Sequence, residues 1–122
     1  MTETVFTIFM SLRTERAWLA LTRQQRQDFL ATTVRPILAR YPQVRLRYYD
    51  AEAFSGRCTD MAVFETSDLG AYQFLVDGLR DTPFLGLPYF AVVDIVMAVE
   101  DGYRTYNQAH GVSEDPPHLV GS

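Results

Sequence analysis

Hydrophobic and polar positions along the chain change their period repeatedly, and each change marks an element. Residues 4–13 (TVFTIFMSLR) combine β-branched and aromatic side chains in a partial alternation, the mark of a strand. Thr22 opens TRQQRQDFLATTVRPILARY with Gln25 three residues on, the spacing of a capping box. Leu30, Val34, Ile37, Leu38 and Tyr41 then recur at helical spacing. Pro36 lacks the N–H that would bond the Thr32 carbonyl, so the spacing predicts a kinked helix that ends at Pro42. Residues 43–50 (QVRLRYYD) alternate cleanly, with Val44, Leu46 and Tyr48 on one side and Arg45, Arg47 and Tyr49 on the other. CTDMAVFET reads as the next strand, antiparallel to it. Ser67-Asp68 can cap a helix with Leu69, Tyr72, Leu75, Val76 and Leu79 on one face. DTPFLGLP is a loop, YFAVVDIVMAV (89–99) an apolar strand interrupted by Asp94, and EDGYRTYNQ a short helix.

The order is β-α-β-β-α-β, the ferredoxin-like α+β arrangement around a four-stranded antiparallel sheet. Residues 1–109 form one such domain, and 110–122 read as a flexible tail. Two helices cover one face of the sheet. The alternation assigns to the other Thr7, Phe9 and Ser11; Arg45, Arg47 and Tyr49; Asp60, Ala62 and Phe64; and Phe90, Val92 and Asp94. A face so rich in rings is poorly suited to water, and its charges make it an unusual second core. A homodimer, sheet against sheet around a semi-polar cavity, satisfies both conditions.

Composition narrows the partners. The 122 residues carry a net charge of −4, and all eleven basic residues are arginine. Without lysine, neither Schiff-base chemistry nor a P-loop is available. An acidic chain with scattered arginines has no electrostatic footprint for nucleic acid or for an anionic membrane surface. No apolar run approaches the ~18 residues that span a bilayer. The N-terminus shows no basic leader region, and Cys58 is a single cysteine, so a cytoplasmic location is expected.

Candidate chemistry concentrates on the open face. Arg45 and Arg47, two apart on one strand, can clamp an anion together, or simply pair with Asp50, Asp60 or Asp94. Asp94, set in an apolar run, would have its pKa lifted by burial and serve as a general base, or else sit in a structural ion pair. Tyr49 can donate a proton or stack on a ring. Asp60, Phe9, Phe64, Phe90 and Trp18 complete a substrate-binding set, although aromatic positions of this kind equally serve packing. Asp50 reads as a turn residue that binds its own backbone. His110 and His118 have no third ligand nearby, so no metal site is expected, and Cys58 has no neighbour to activate it. Phe84, Leu85 and Leu87 around Gly86 make the 81–88 loop an apolar lid or a plug over the helix ends.

The stretch RLRYYDAEAFSGRCTDMAVFETSDLGAYQFLVDGLRDTPF, with YFAVVDIVMAVEDGY after it and TVFTIFMSLRTERAWLAL before it, resembles the darcynin family of small bacterial proteins, over residues 4–106. The resemblance implies a dimeric α+β barrel and supplies no catalytic set. That wider fold group includes cofactor-independent monooxygenases, cyclases, isomerases, haem enzymes and non-catalytic binders. The reading from the residues is a cofactor-independent cyclase, isomerase or monooxygenase acting on an aromatic or polyketide-like anionic molecule. Asp94, Arg47 and Tyr49 would be its catalytic residues. A non-catalytic dimeric binder of an apolar ligand is the alternative, and a haem or flavin protein a third.

Overall fold

The computed structural model describes residues 3–112. Strand β1 (Phe6–Thr14) leads through a short helix α1 (Arg16–Leu19) into α2 (Arg23–Phe29), a π-helical stretch (Leu30–Val34) and α3 (Arg35–Ala39). Strands β2 (Arg45–Asp50) and β3 (Asp60–Thr66) follow, then helices α4 (Leu69–Arg80) and α5 (Pro83–Gly86), strand β4 (Phe90–Ala98) and α6 (Gly102–Ala109). The sheet order is β2-β3-β1-β4, with every pair antiparallel. This is the ferredoxin-like α+β fold that the element order predicts.

The helix boundaries follow local chemistry. Thr22 accepts the Gln25 N–H at 3.1 Å and donates its own N–H to Gln25 Oε1 at 2.8 Å, completing the capping box. Asp68 caps α4 by accepting the Ala71 N–H at 3.0 Å, a bond that holds its carboxyl below the usual carboxylate range. Pro36 is accommodated by a π turn instead of a simple kink. The Arg35 N–H bonds the Leu30 carbonyl, five residues back, and the Thr32 hydroxyl donates to the Asp28 carbonyl at 2.7 Å. The expected 81–88 loop contains α5, whose N-cap Thr82 accepts the Phe84 N–H at 3.1 Å. A Cβ on Gly86 would lie 2.6 Å from the Arg80 carbonyl oxygen, so this turn requires glycine.

Register decides which residues share a face, because directly opposed residues in an antiparallel pair project to the same side. Ile8, Met10 and Leu12 oppose Phe64, Ala62 and Asp60, and these oppose Leu46, Tyr48 and Asp50 in turn. All of these face the helices. There Ile8, Met10, Leu12, Ala62 and Phe64 meet Val34, Ile37, Ala71, Leu75 and Leu79 in the core.

Three expected members of the open face are therefore corrected: Asp60, Ala62 and Phe64 lie on the helix side. Both phases of the MAVF segment are apolar, so its alternation does not fix its direction. Phe90 and Val92 are corrected too. They oppose Thr14 and Leu12 on the helix side, whereas Asp94 opposes Ser11 on the open side. An irregularity between Ser11 and Leu12 lets β4 slip by one residue, and such a slip exchanges faces. The open face carries Thr7, Phe9, Ser11, Arg45, Arg47, Tyr49, Asp94 and Val96.

Candidate functional site

A cavity of about 550 Å³ lies between the sheet and the helices. It is distinct from the sheet-against-sheet cavity expected from the sequence, which would lie on the other face and form only with a second copy. Its sheet wall is Met10, Leu12, Leu46, Ala62 and Phe64, and its helix wall is Leu30, Val34 and Leu38. One end is closed by Trp18, Phe84, Leu85 and Phe90.

That end is a packed set of rings. Trp18 stands 5.0 Å from Phe90, 5.3 Å from Tyr89 and 6.1 Å from Phe29, and Phe84 stands 4.8 Å from Phe90. Tilted and edge-on arrangements at these spacings add to the stabilisation that burial alone provides. Arg26 fixes the entry of this wall. Its Nε and Nη2 donate to the Trp18 and Leu19 carbonyls, each at 3.1 Å, and its guanidinium lies 5.9 Å from the indole centroid. Two carbonyls at the end of α1 gain a charged donor in this way.

Polar groups gather elsewhere on the lining. Thr14, Tyr48, Asp50, Glu52 and Asp60 belong to the sheet side, and Arg26 and Arg35 to the helix side. Asp60 is held by the strand ends: its Oδ2 accepts from the Thr59 hydroxyl at 2.7 Å and the Thr14 hydroxyl at 3.0 Å, while Oδ1 receives neither bond. The Thr14 N–H in turn donates to Thr59 Oγ1 at 2.8 Å. Tyr48 pairs with Ala62 across the strands, which makes Asp60 its diagonal neighbour on the same face. Although 47% of Tyr48 is open to solvent, burial of the phenol, and then the charges of Asp60 and Asp50, push its pKa well above the ordinary tyrosine value. The phenol therefore stays protonated and available as a donor. Asp50 Oδ1 accepts the Glu52 N–H at 3.2 Å, so the expected turn role holds while Asp50 also lines the cavity.

The sequence-derived set divides in two. Trp18, Asp60, Phe64 and Phe90 line the cavity. Arg45, Arg47, Tyr49, Phe9 and Asp94 lie on the opposite face. Asp94 is exposed in the single chain, with Oδ1 accepting the adjacent Ile95 N–H at 2.9 Å. Arg47 and Asp94 sit on the two edge strands, three strand spacings or about 14 Å apart, too far to close on one small molecule within a chain. Arg45 reaches Glu65 at 4.0 Å, a structural ion pair across the strands. Residues that the sequence reading left out are Tyr48, Glu52, Arg26 and Arg35. A signal for Tyr48 was present: it shares the apolar phase of β2 with Leu46 and stands two residues from Asp50.

His110 caps the end of α6, exposed, with Nδ1 2.9 Å from the Tyr106 carbonyl oxygen, and does not line the cavity. His118 and the tail from 113 lie outside the described residues. Cys58 is unpaired, its thiol directed to Ser55 Oγ at 3.7 Å. Among the described residues no group of three His, Cys, Asp or Glu could hold a metal ion, and no helix is long and apolar enough to cross a membrane.

A family model described as darcynin, a domain of unknown function, matches residues 1–113. Darcynin from Chromobacterium violaceum is 57% identical over 74 residues, which is 61% of this chain and 94% of that protein. A darcynin homolog from Streptomyces avermitilis is 50% identical over 107 residues, 86% of this chain and 88% of its own. Among solved structures, chlorite dismutase from Candidatus Nitrospira defluvii in complex with imidazole superposes with a TM-score of 0.68 at 17% identity, covering 99% of this chain and 45% of that one. A haem-binding protein from Thermus thermophilus gives a TM-score of 0.61 at 11% identity, covering 80% and 40%. The chain thus spans less than half the length of these two structures, and the likeness to them is one of fold.

Proposed function

This chain belongs to the darcynin family, and from that premise we propose that it is a cofactor-independent isomerase or cyclase acting on an aromatic, carbonyl-bearing small molecule in the cavity between sheet and helices. One observation carries the reading: an aromatic-walled cavity whose sheet side sets a protonated phenol, Tyr48, diagonally beside a carboxylate, Asp60.

The substrate ring lies against Trp18, Phe84 and Phe90, and its carbonyl accepts a hydrogen bond from the Tyr48 hydroxyl. Asp60 Oδ1 takes a proton from the carbon next to that carbonyl. The C–H electron pair moves into a carbon–carbon double bond, and the carbonyl becomes an enolate held by Tyr48. In a substrate with a double bond conjugated to the enolate, return of the proton to the far carbon of that bond gives isomerisation. Attack of the enolate carbon on a second carbonyl of the same molecule gives cyclisation, with the proton passing to the new alkoxide. The acid–base pair favours these reactions over oxygen insertion.

Haem fits the lining poorly. Among the described residues no imidazole or thiolate lines the cavity, and the burial and neighbouring carboxylates that keep Tyr48 protonated oppose its use as a phenolate ligand. A non-catalytic binder is favoured by one feature, the double satisfaction of Asp60 Oδ2 by threonine hydroxyls, which also suits a purely structural carboxylate.

The same proposal includes a homodimer through the open face, with Phe9, Arg45, Arg47, Tyr49 and Asp94 at the interface, one ferredoxin-like domain over 1–109, and a cytoplasmic setting. The test of the chemistry uses 2-tetralone in D2O, with exchange of its α-hydrogens followed by NMR. Asp60→Asn is expected to slow protein-dependent exchange by about 10²-fold or more while the ketone still quenches Trp18 fluorescence. Quenching with no exchange above buffer in the native protein leaves the binder.

A further inference from the structure

We infer that Arg35 is a specificity residue that selects a ligand bearing a carboxylate, and that the π turn before it is what brings it to the cavity. This rests on the cavity reading above and adds the charge of the ligand to it. The sequence spacing treats Leu30, Val34 and Ile37 as one face of a regular helix, in which residue 35 would project well away from Leu30. In the structure the Arg35 N–H bonds the Leu30 carbonyl, so the turn that starts at Leu30 closes one residue late. Arg35 takes the place over Leu30 that residue 34 would occupy, and Leu30, Val34, Arg35 and Leu38 all line the cavity. Pro36 favours the extra residue here, because in a regular turn its ring would clash with the Thr32 carbonyl.

Two cations border the cavity, and their situations differ. Arg26 is committed to the Trp18 and Leu19 carbonyls. Arg35 makes no ion pair and no side-chain hydrogen bond among the described residues, although Asp50, Glu52 and Asp60 line the same cavity from the sheet side. Its guanidinium keeps a full set of donors for a carboxylate, which it can engage at two points. The lining is thus divided by charge, acidic on the sheet and cationic on α3. A ligand that satisfies both sides carries a carboxylate toward Arg35 and a carbonyl or hydroxyl toward Tyr48 and Asp60. An aromatic keto acid or hydroxy acid has that pattern.

The test compares 2-naphthoate with 2-naphthol by titration calorimetry on the native protein, Arg35→Ala and Arg35→Lys. Arg35 is exposed, so neither replacement disturbs the core. Arg35→Ala is expected to weaken 2-naphthoate by about tenfold or more, Arg35→Lys to fall between, and 2-naphthol to change by less than about twofold. Equal losses for both ligands, or no loss for either, overturn the role of Arg35 and leave the cavity reading standing. So does a native protein that takes 2-naphthol and refuses 2-naphthoate. A native protein that binds neither overturns the cavity reading, and this inference with it.

Discussion

Single side chains decide where chemistry is available in this molecule. Asp94 looks reactive in the sequence because its neighbours are apolar, yet within one chain those neighbours are themselves exposed on an edge strand. Asp60, a substrate-binding candidate in the sequence, is fixed by two hydroxyls beside a protonated phenol on the helix side. Phe84 shows the same dependence on context. It is 8% exposed, packs against Phe90, and closes one end of the cavity, whereas Leu87 in the same segment is exposed. Phe84→Ala is expected to cost about 3 kcal/mol of unfolding free energy, measured by urea titration. A loss under about 1 kcal/mol would mean that the ring is a loosely held lid.

At the scale of elements, what the sequence made legible is what local chemistry controls. The capping box at Thr22, the Asp68 cap and the main strands and helices can be read from periodicity and capping residues. The phase of β3 could not be read, because Met61, Ala62, Val63 and Phe64 are apolar in succession. That of β4 could not either, because its slip opposite Ser11 is a property of the pairing and leaves no local mark. Those two phases moved Asp60, Phe64 and Phe90 from one face to the other, and much of the candidate site with them. The π turn was hidden for a related reason: Pro36 announces a disturbance but not its form. Strand β4 also leaves Val92, Ile95, Val96 and Met97 each more than two-fifths exposed, on both sides of an edge strand. Apolar surface of this extent favours association. The native mass is expected to be twice 13.9 kDa, and Val96→Asp, which sets a charge beside Phe9, is expected to return it to the monomer. A native protein that runs as a monomer at micromolar concentration contradicts the interface.

For the whole molecule, the sheet separates two surfaces of different character. The helix side holds a cavity with an aromatic end and a charge-divided lining, and the open side carries the arginines and apolar side chains of the proposed dimer. The family is shown by sequence, and the fold is shared with much longer proteins, so the chemistry has to be argued from the residues of this cavity. A small aromatic ligand is proposed to enter on the helix side. The most direct measurement is NMR of the isotope-labelled protein titrated with 2-naphthol, following backbone amides and the Trp18 indole N–H. Shifts are expected at Trp18, Leu30, Val34, Tyr48 and Phe84, with Phe9, Arg47, Asp94 and Val96 unmoved. Shifts confined to Phe9, Arg47, Asp94 and Val96 would contradict entry on the helix side and return the binding site to the open face of the sheet.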